Sequence, residues 1–92
     1  MPKVTIELPG PLRSLLHAPP RIVVQAETVR DALDLLIEQL PGARVHLFDE
    51  TGSFREHVLC FHNETNTRWI ESIDAPVRQD DTITIVQAVS GG

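Results

Sequence analysis

The residues that could do chemistry in this chain are few, and the most suggestive stand at its end. Gly91 and Gly92 close the sequence after Ala88-Val89-Ser90. A Gly-Gly segment is the thinnest and most flexible a chain can carry. The carboxylate of Gly92 has no Cβ beside it to obstruct attack. Such a tail suits insertion into a narrow channel of another protein, where reaction occurs on the carboxylate itself. Glycines at a chain end also have a plain reading, because termini fray.

Other reactive side chains are weaker candidates. Cys60 lies in the middle of an apolar run and reads as a small buried hydrophobe rather than a nucleophile. His17, His46, His57 and His62 fall on separate segments, without metal-ligand spacing. Trp69 reads as an edge anchor of the core. Asp49, Glu50, Asp80 and Asp81 read as a solvated acidic surface that would steer a basic partner. No Ser/His/Asp spacing stands out, and no phosphate-binding glycine loop precedes a helix.

The chain has 92 residues, the length of one domain. That size supports a single core and no deep enclosed active site. With 13 acidic and 8 basic residues the formal charge is −5, which argues against nucleic acid and anionic membrane as partners. A single cysteine excludes an internal disulfide. There is no apolar run long enough to span a bilayer and no signal-peptide pattern near Pro2-Lys3, so the expected compartment is the cytoplasm.

The elements that must position the tail are legible in the patterning. Lys3 to Leu8 alternates, with Val4, Ile6 and Leu8 on one side, as a half-buried strand does. Pro9-Gly10-Pro11 ends it. Leu12 to Ala18 reads as a helical turn or a packed loop. Arg21 to Ala26 alternates again, so the two strands form a hairpin with a long connection. Thr28 can cap a helix, with Asp31 at the reciprocal position of a capping box. Val29, Ala32, Leu33, Leu36, Ile37 and Leu40 then follow the helical period as far as Pro41-Gly42.

Val45, Leu47 and Phe48 read as an apolar cluster, and Asp49 to Ser53 as an exposed turn. Val58 to His62 is a third strand, placing Leu59 and Phe61 opposite Val58, Cys60 and His62. Asn63 to Thr67 reads as a turn, Arg68-Trp69-Ile70 as a short edge strand, and Ile73 and Ala75-Pro76-Val77 as an irregular piece with apolar anchors. Gln79-Asp80-Asp81 is a turn before the last strand, Thr82 to Val89. Four or five strands with one main helix imply an α+β domain, the helix packed on one sheet face. A hairpin followed by a crossover helix points to a β-grasp, with the last strand central beside the first. The division is a folded domain over 1–89 and a reactive tail over 90–92.

At this point the chain resembles the MoaD/ThiS family of ubiquitin-like sulfur carriers, nearly end to end. The strongest likeness is Asp80-Asp81-Thr82-Ile83-Thr84-Ile85-Val86-Gln87-Ala88-Val89-Ser90-Gly91-Gly92. It is similar to the family's closing turn, apolar strand and small residue before Gly-Gly. Leu47 to Gly52, Phe54 to Val58, Arg68-Trp69 and Asp74 to Val77 add to it. The chain departs from the family pattern in three places. Asp80 replaces a usual Gly, Gln87 a usual Pro, and Asn63-Glu64-Thr65 a usual Asn-Gly-Glu turn preceded by an aliphatic residue where His62 stands.

The resemblance implies a carrier and not an enzyme, with Gly92 as the covalent site and Ser90 and Gly91 as its tail. An E1-like adenylyltransferase/sulfurtransferase would adenylylate Gly92 with ATP, and a sulfur source would replace AMP to leave a thiocarboxylate. A sulfur-accepting synthase would take the sulfur. No cofactor or metal is expected on this chain, since ATP belongs to the activating partner. The sheet face away from the helix would meet partners, with Leu59, Phe61, Val86 and Ile85 as candidate contacts. The segments around Asp49–Gly52 and Phe54–Val58 favour a longer carrier of the kind serving cysteine biosynthesis. Two other classes stay open: the small subunit of molybdopterin synthase, and a protein modifier joined through Gly92 to a lysine.

Overall fold

The computed structural model describes residues 1–67 and 75–87. Strand β1 (Lys3–Glu7) leads to helix α1 (Gly10–Leu16), strand β2 (Arg21–Gln25) and helix α2 (Val29–Gln39). Helix α3 (Ala43–Leu47) and strands β3 (Val58–His62), β4 (Thr65–Asn66) and β5 (Thr82–Gln87) follow. The five strands form one sheet in the order β2-β1-β5-β3-β4. β1 and β5 run parallel, and the other neighbours are antiparallel. The last strand is therefore central and beside the first, as the β-grasp expectation required.

Alternation decides which face is buried. Val4 and Ile6 of β1, Ile22 and Val24 of β2, Val58 and Cys60 of β3, and Ile83 and Ile85 of β5 all face the core. α2 packs beside β1 and β2 and adds Val29, Ala32, Leu33 and Leu36 to the same core. Its start is fixed by Thr28, whose Oγ1 accepts the Asp31 amide at 3.1 Å. That side-chain bond satisfies one of the orphan donors of the first turn. Leu40 closes the helix, its amide reaching the Leu36 carbonyl at 2.8 Å.

The stretch from Leu12 to Ala18, open between two readings, is helical as far as Leu16. Pro11 sits in the first turn, where its missing N–H costs nothing. His17 takes a left-handed φ of 54° at the end, and the Ala18 amide returns to Arg13 O. The cluster expected at Val45, Leu47 and Phe48 is corrected. These residues belong to or follow α3, in which Ala43 and Leu47 are buried one turn apart while Val45 is 62% exposed. The helical period turns Val45 outward, and Phe48 instead stacks on Phe54 with ring centroids 4.8 Å apart. Gly42 lets the α2–α3 connection press against α1, since a Cβ there would lie 2.9 Å from Leu16 Cδ2.

The polar stretch Asn63 to Thr67 also differs from its expectation as a turn throughout. Asn63 adopts φ 56°, a conformation its short side chain tolerates. The chain reverses there, and Thr65–Asn66 pairs with β3 as an edge strand. The edge strand expected at Arg68-Trp69-Ile70 lies outside the described residues, as do Ile73 and Asp74.

Candidate functional site

β5 delivers the chain toward Gly92, so the site is built from β5 and its neighbour β3. Their antiparallel register sets Val58 across from Gln87, Leu59 from Val86, Cys60 from Ile85, Phe61 from Thr84 and His62 from Ile83. Strand parity sends Leu59, Phe61 and Val86 to the face away from α2. Val86 is 38% exposed there, and Leu59 and Phe61 are half-buried. Three apolar side chains thus gather on two paired strands, just before the final residues of the chain. Ile85, proposed with them, is corrected: it is 1% exposed and belongs to the core, because one residue along a strand changes face. Ala88, Val89, Ser90, Gly91 and Gly92 lie outside the described residues.

The far end of the same strand pair carries a polar knot that the sequence reading missed. By its sequence neighbourhood Asp81 reads as surface charge. Its Oδ2 lies 2.8 Å from His62 Nε2 and accepts the Arg78 amide at 2.8 Å. Its Oδ1 accepts Asn63 Nδ2 at 3.2 Å. Asn63 in turn grips the start of β5, with its Oδ1 accepting the Thr82 amide and its own amide donating to Thr82 O. The Asp81 carbonyl accepts the Thr5 amide of β1 at 3.0 Å. The His62 hydrogen bond, with those from Arg78 and Asn63, holds the Asp81 carboxyl below its ordinary value. Asn63 after a strand signals a turn in the sequence. No local signal links His62 to a residue so far along the chain.

Cys60 is 1% exposed, and burial pushes its thiol up to about 11. A thiol held protonated and buried is a poor nucleophile. Thr67 donates its hydroxyl to the Cys60 carbonyl at 3.0 Å and helps close the strand edge over it. The histidines stay apart by location: His17 ends α1, His46 lies on α3, His57 precedes β3 and His62 ends it. Among the described residues no three His, Cys, Asp or Glu side chains gather as metal ligands. Asp49 organises its own loop, accepting from the Thr51 hydroxyl and amide and from the Ser53 amide. These bonds, Thr51 first, lower its pKa. An open groove of about 460 Å³ between α2 and α3 is lined by Arg30, Asp34, Glu38 and Arg44 over Leu33, Ile37 and Phe48. It brings no nucleophile or matched acid–base pair together. No helix among the described residues is long and apolar enough to cross a membrane.

The described residues thus form a folded body with a partly exposed apolar patch on the β3–β5 pair. Comparison with known proteins gives it a family. A chain of the BexX/CysO complex of Amycolatopsis orientalis superposes with a TM-score of 0.82 at 26% identity, covering 97% of this chain and 99% of that one. The small archaeal modifier protein 1 of Methanosarcina acetivorans gives 0.81 at 26% identity, covering 100% and 98%. CysO of Mycobacterium tuberculosis gives 0.81 at 22% identity, covering 94% and 99%, a likeness of fold. No curated protein matches the sequence. The ThiS family model matches residues 6–92, nearly the whole chain through Gly91-Gly92, and the protein belongs to the ThiS family of ubiquitin-like, β-grasp sulfur carriers.

Proposed function

We propose that the protein carries sulfur as a thiocarboxylate on Gly92. The observation that supports this reading most is that the family match runs through the terminal Gly-Gly. The described body adds a central strand leading to the tail, with Leu59, Phe61 and Val86 exposed or half-exposed beside it. A carboxylate is a poor electrophile at neutral pH. An E1-like adenylyltransferase would let a Gly92 carboxylate oxygen attack the α-phosphorus of ATP, releasing pyrophosphate and leaving an acyl-adenylate. Sulfide then attacks the acyl carbon, and AMP departs with the bonding electron pair. The resulting thiocarboxylate is a soft nucleophile for a sulfur-accepting synthase. ATP and any metal belong to the partner.

Leu59, Phe61 and Val86 are proposed as the contact that docks the body on the activating enzyme, with Ser90 and Gly91 threading Gly92 into its channel. Similarity to a chain of the BexX/CysO complex favours a carrier acting with partner proteins of this kind. Similarity to small archaeal modifier protein 1 supports a second reading, in which activated Gly92 is joined to a lysine amine on a target. Both begin with the same adenylylation. The test is pyrophosphate exchange catalysed by an activating enzyme of this class in the presence of the carrier. Exchange that requires Gly92 supports the shared first step. Exchange unaffected by its deletion refutes it. A conjugate of higher mass that disappears with Gly92 would select the modifier reading.

A further inference from the structure

The two borders of the sheet are unlike. Among the described residues β4 is a two-residue border, while β2 is a five-residue strand with a neighbour on one side only. Hydrogen-bond parity fixes what that free side presents. Leu8 N donates to Pro20 O and Ala26 N to Pro2 O, in the same register that pairs Val4 with Val24 and Ile6 with Ile22. In an antiparallel ladder bonded and non-bonded pairs alternate. The even residues Ile22 and Val24 thus bond β1, and the N–H and C=O groups of Arg21, Val23 and Gln25 point outward. Among the described residues nothing pairs with them. Val23, at their centre, is 54% exposed.

We propose that β2 pairs antiparallel with β2 of a second copy of this chain, about a two-fold axis at Val23. That register bonds Val23 to Val23 of the other copy and Arg21 to Gln25, and each such pair exchanges two N–H···O bonds. It is self-complementary. The exposed valines meet across the axis, and each arginine faces a neutral amide acceptor instead of a like charge. Ile22 and Val24 extend the buried face from one sheet into the next. Proline and lysine, which often blunt a border strand, are absent from Arg21–Gln25. The opposing influence is charge, since each copy carries −5. The dimer is accordingly weak at low ionic strength and strengthened by salt. This inference does not depend on the chemistry at Gly92.

Sedimentation equilibrium of the intact protein from micromolar to millimolar concentration tests it. The weight-average mass should rise from 10.2 kDa toward twice that value, more readily in high salt. Amide exchange supplies the register. Protection at Arg21, Val23 and Gln25 should grow with concentration, while Ile22 and Val24 stay unchanged. Val23→Pro removes an outward N–H that the fold does not use, and should keep the chain monomeric. Val86→Lys, on a distant strand, should leave the dimer intact. A monomer at millimolar concentration, or a dimer without the odd-residue protection, overturns the proposal.

Discussion

His62 Nε2 and Asp81 Oδ2 approach to 2.8 Å across the turn that starts β5, joining the end of β3 to the start of the central strand. The same carboxylate holds Asn63 and the Arg78 amide, so one side chain ties the end of β3 to the turn over residues 78–81.

The bond has a pH signature. The Asp81 pKa is depressed in the fold, so its contribution is present above the ordinary carboxylate value of 3.8 and is lost as pH falls through the folded value. Asp81→Asn should lower stability by about 1 kcal/mol near neutral pH. The deficit should shrink as acid protonates the wild-type carboxyl. Urea unfolding of both proteins from neutral to strongly acidic pH checks this, and a deficit independent of pH would contradict it.

Leu36 is fully buried at the centre of the α2 stripe. Leu36→Ala should destabilise the fold by about 2–5 kcal/mol, as a large-to-small change in a closed core does. Equilibrium denaturation measures it. A loss under about 0.5 kcal/mol, the usual range for surface changes, would mean that α2 does not cover the sheet through this residue.

Much of the fold was readable because periodicity survives in its large elements. Val4, Ile6, Ile22 and Val24 show the period of two, and the residues from Val29 to Leu36 the period of 3.6. The short elements were harder. α3 contains two residues on the buried face, Ala43 and Leu47, too few to establish a period. Residues 63–67 have the composition of a turn, yet Thr65 and Asn66 border the sheet because β3 offers them a partner. Of the candidate site, the parity of Leu59, Phe61 and Val86 was readable, and Ile85 was misplaced by one residue of phase. The His62–Asp81 contact depends on tertiary register, which no local pattern encodes.

Cys60 should be chemically silent in the native state. Burial and a thiol raised to about 11 keep the reactive thiolate scarce. Alkylation by iodoacetamide at neutral pH should proceed at the rate of global or local opening and rise sharply in denaturant. Rapid native-state modification, at the rate of a free thiol, would place Cys60 at the surface instead of in the core.

Val86 is exposed enough to be changed without opening the core. Val86→Lys should alter unfolding free energy by no more than about 0.5 kcal/mol. If the Leu59–Phe61–Val86 patch docks the activating enzyme, the variant should raise the KM for adenylylation several-fold. An unchanged KM in a correctly folded variant would remove the patch from the partner interface.

The central claim is that sulfur is carried on the carboxylate of Gly92. Its most direct measurement is mass spectrometry of the C-terminal peptide after incubation with an activating enzyme of the E1-like class, ATP and a sulfur donor. Exchange of one carboxylate oxygen for sulfur raises the mass by the nominal mass of an oxygen atom. Oxidation of Met1 or Cys60 gives nearly the same increment, so the mapped peptide decides and intact mass does not. The account predicts an increment on the peptide ending at Gly92, retained in Cys60→Ala and abolished by deletion of Gly92. Sulfur found on Cys60, or persisting without Gly92, would contradict it.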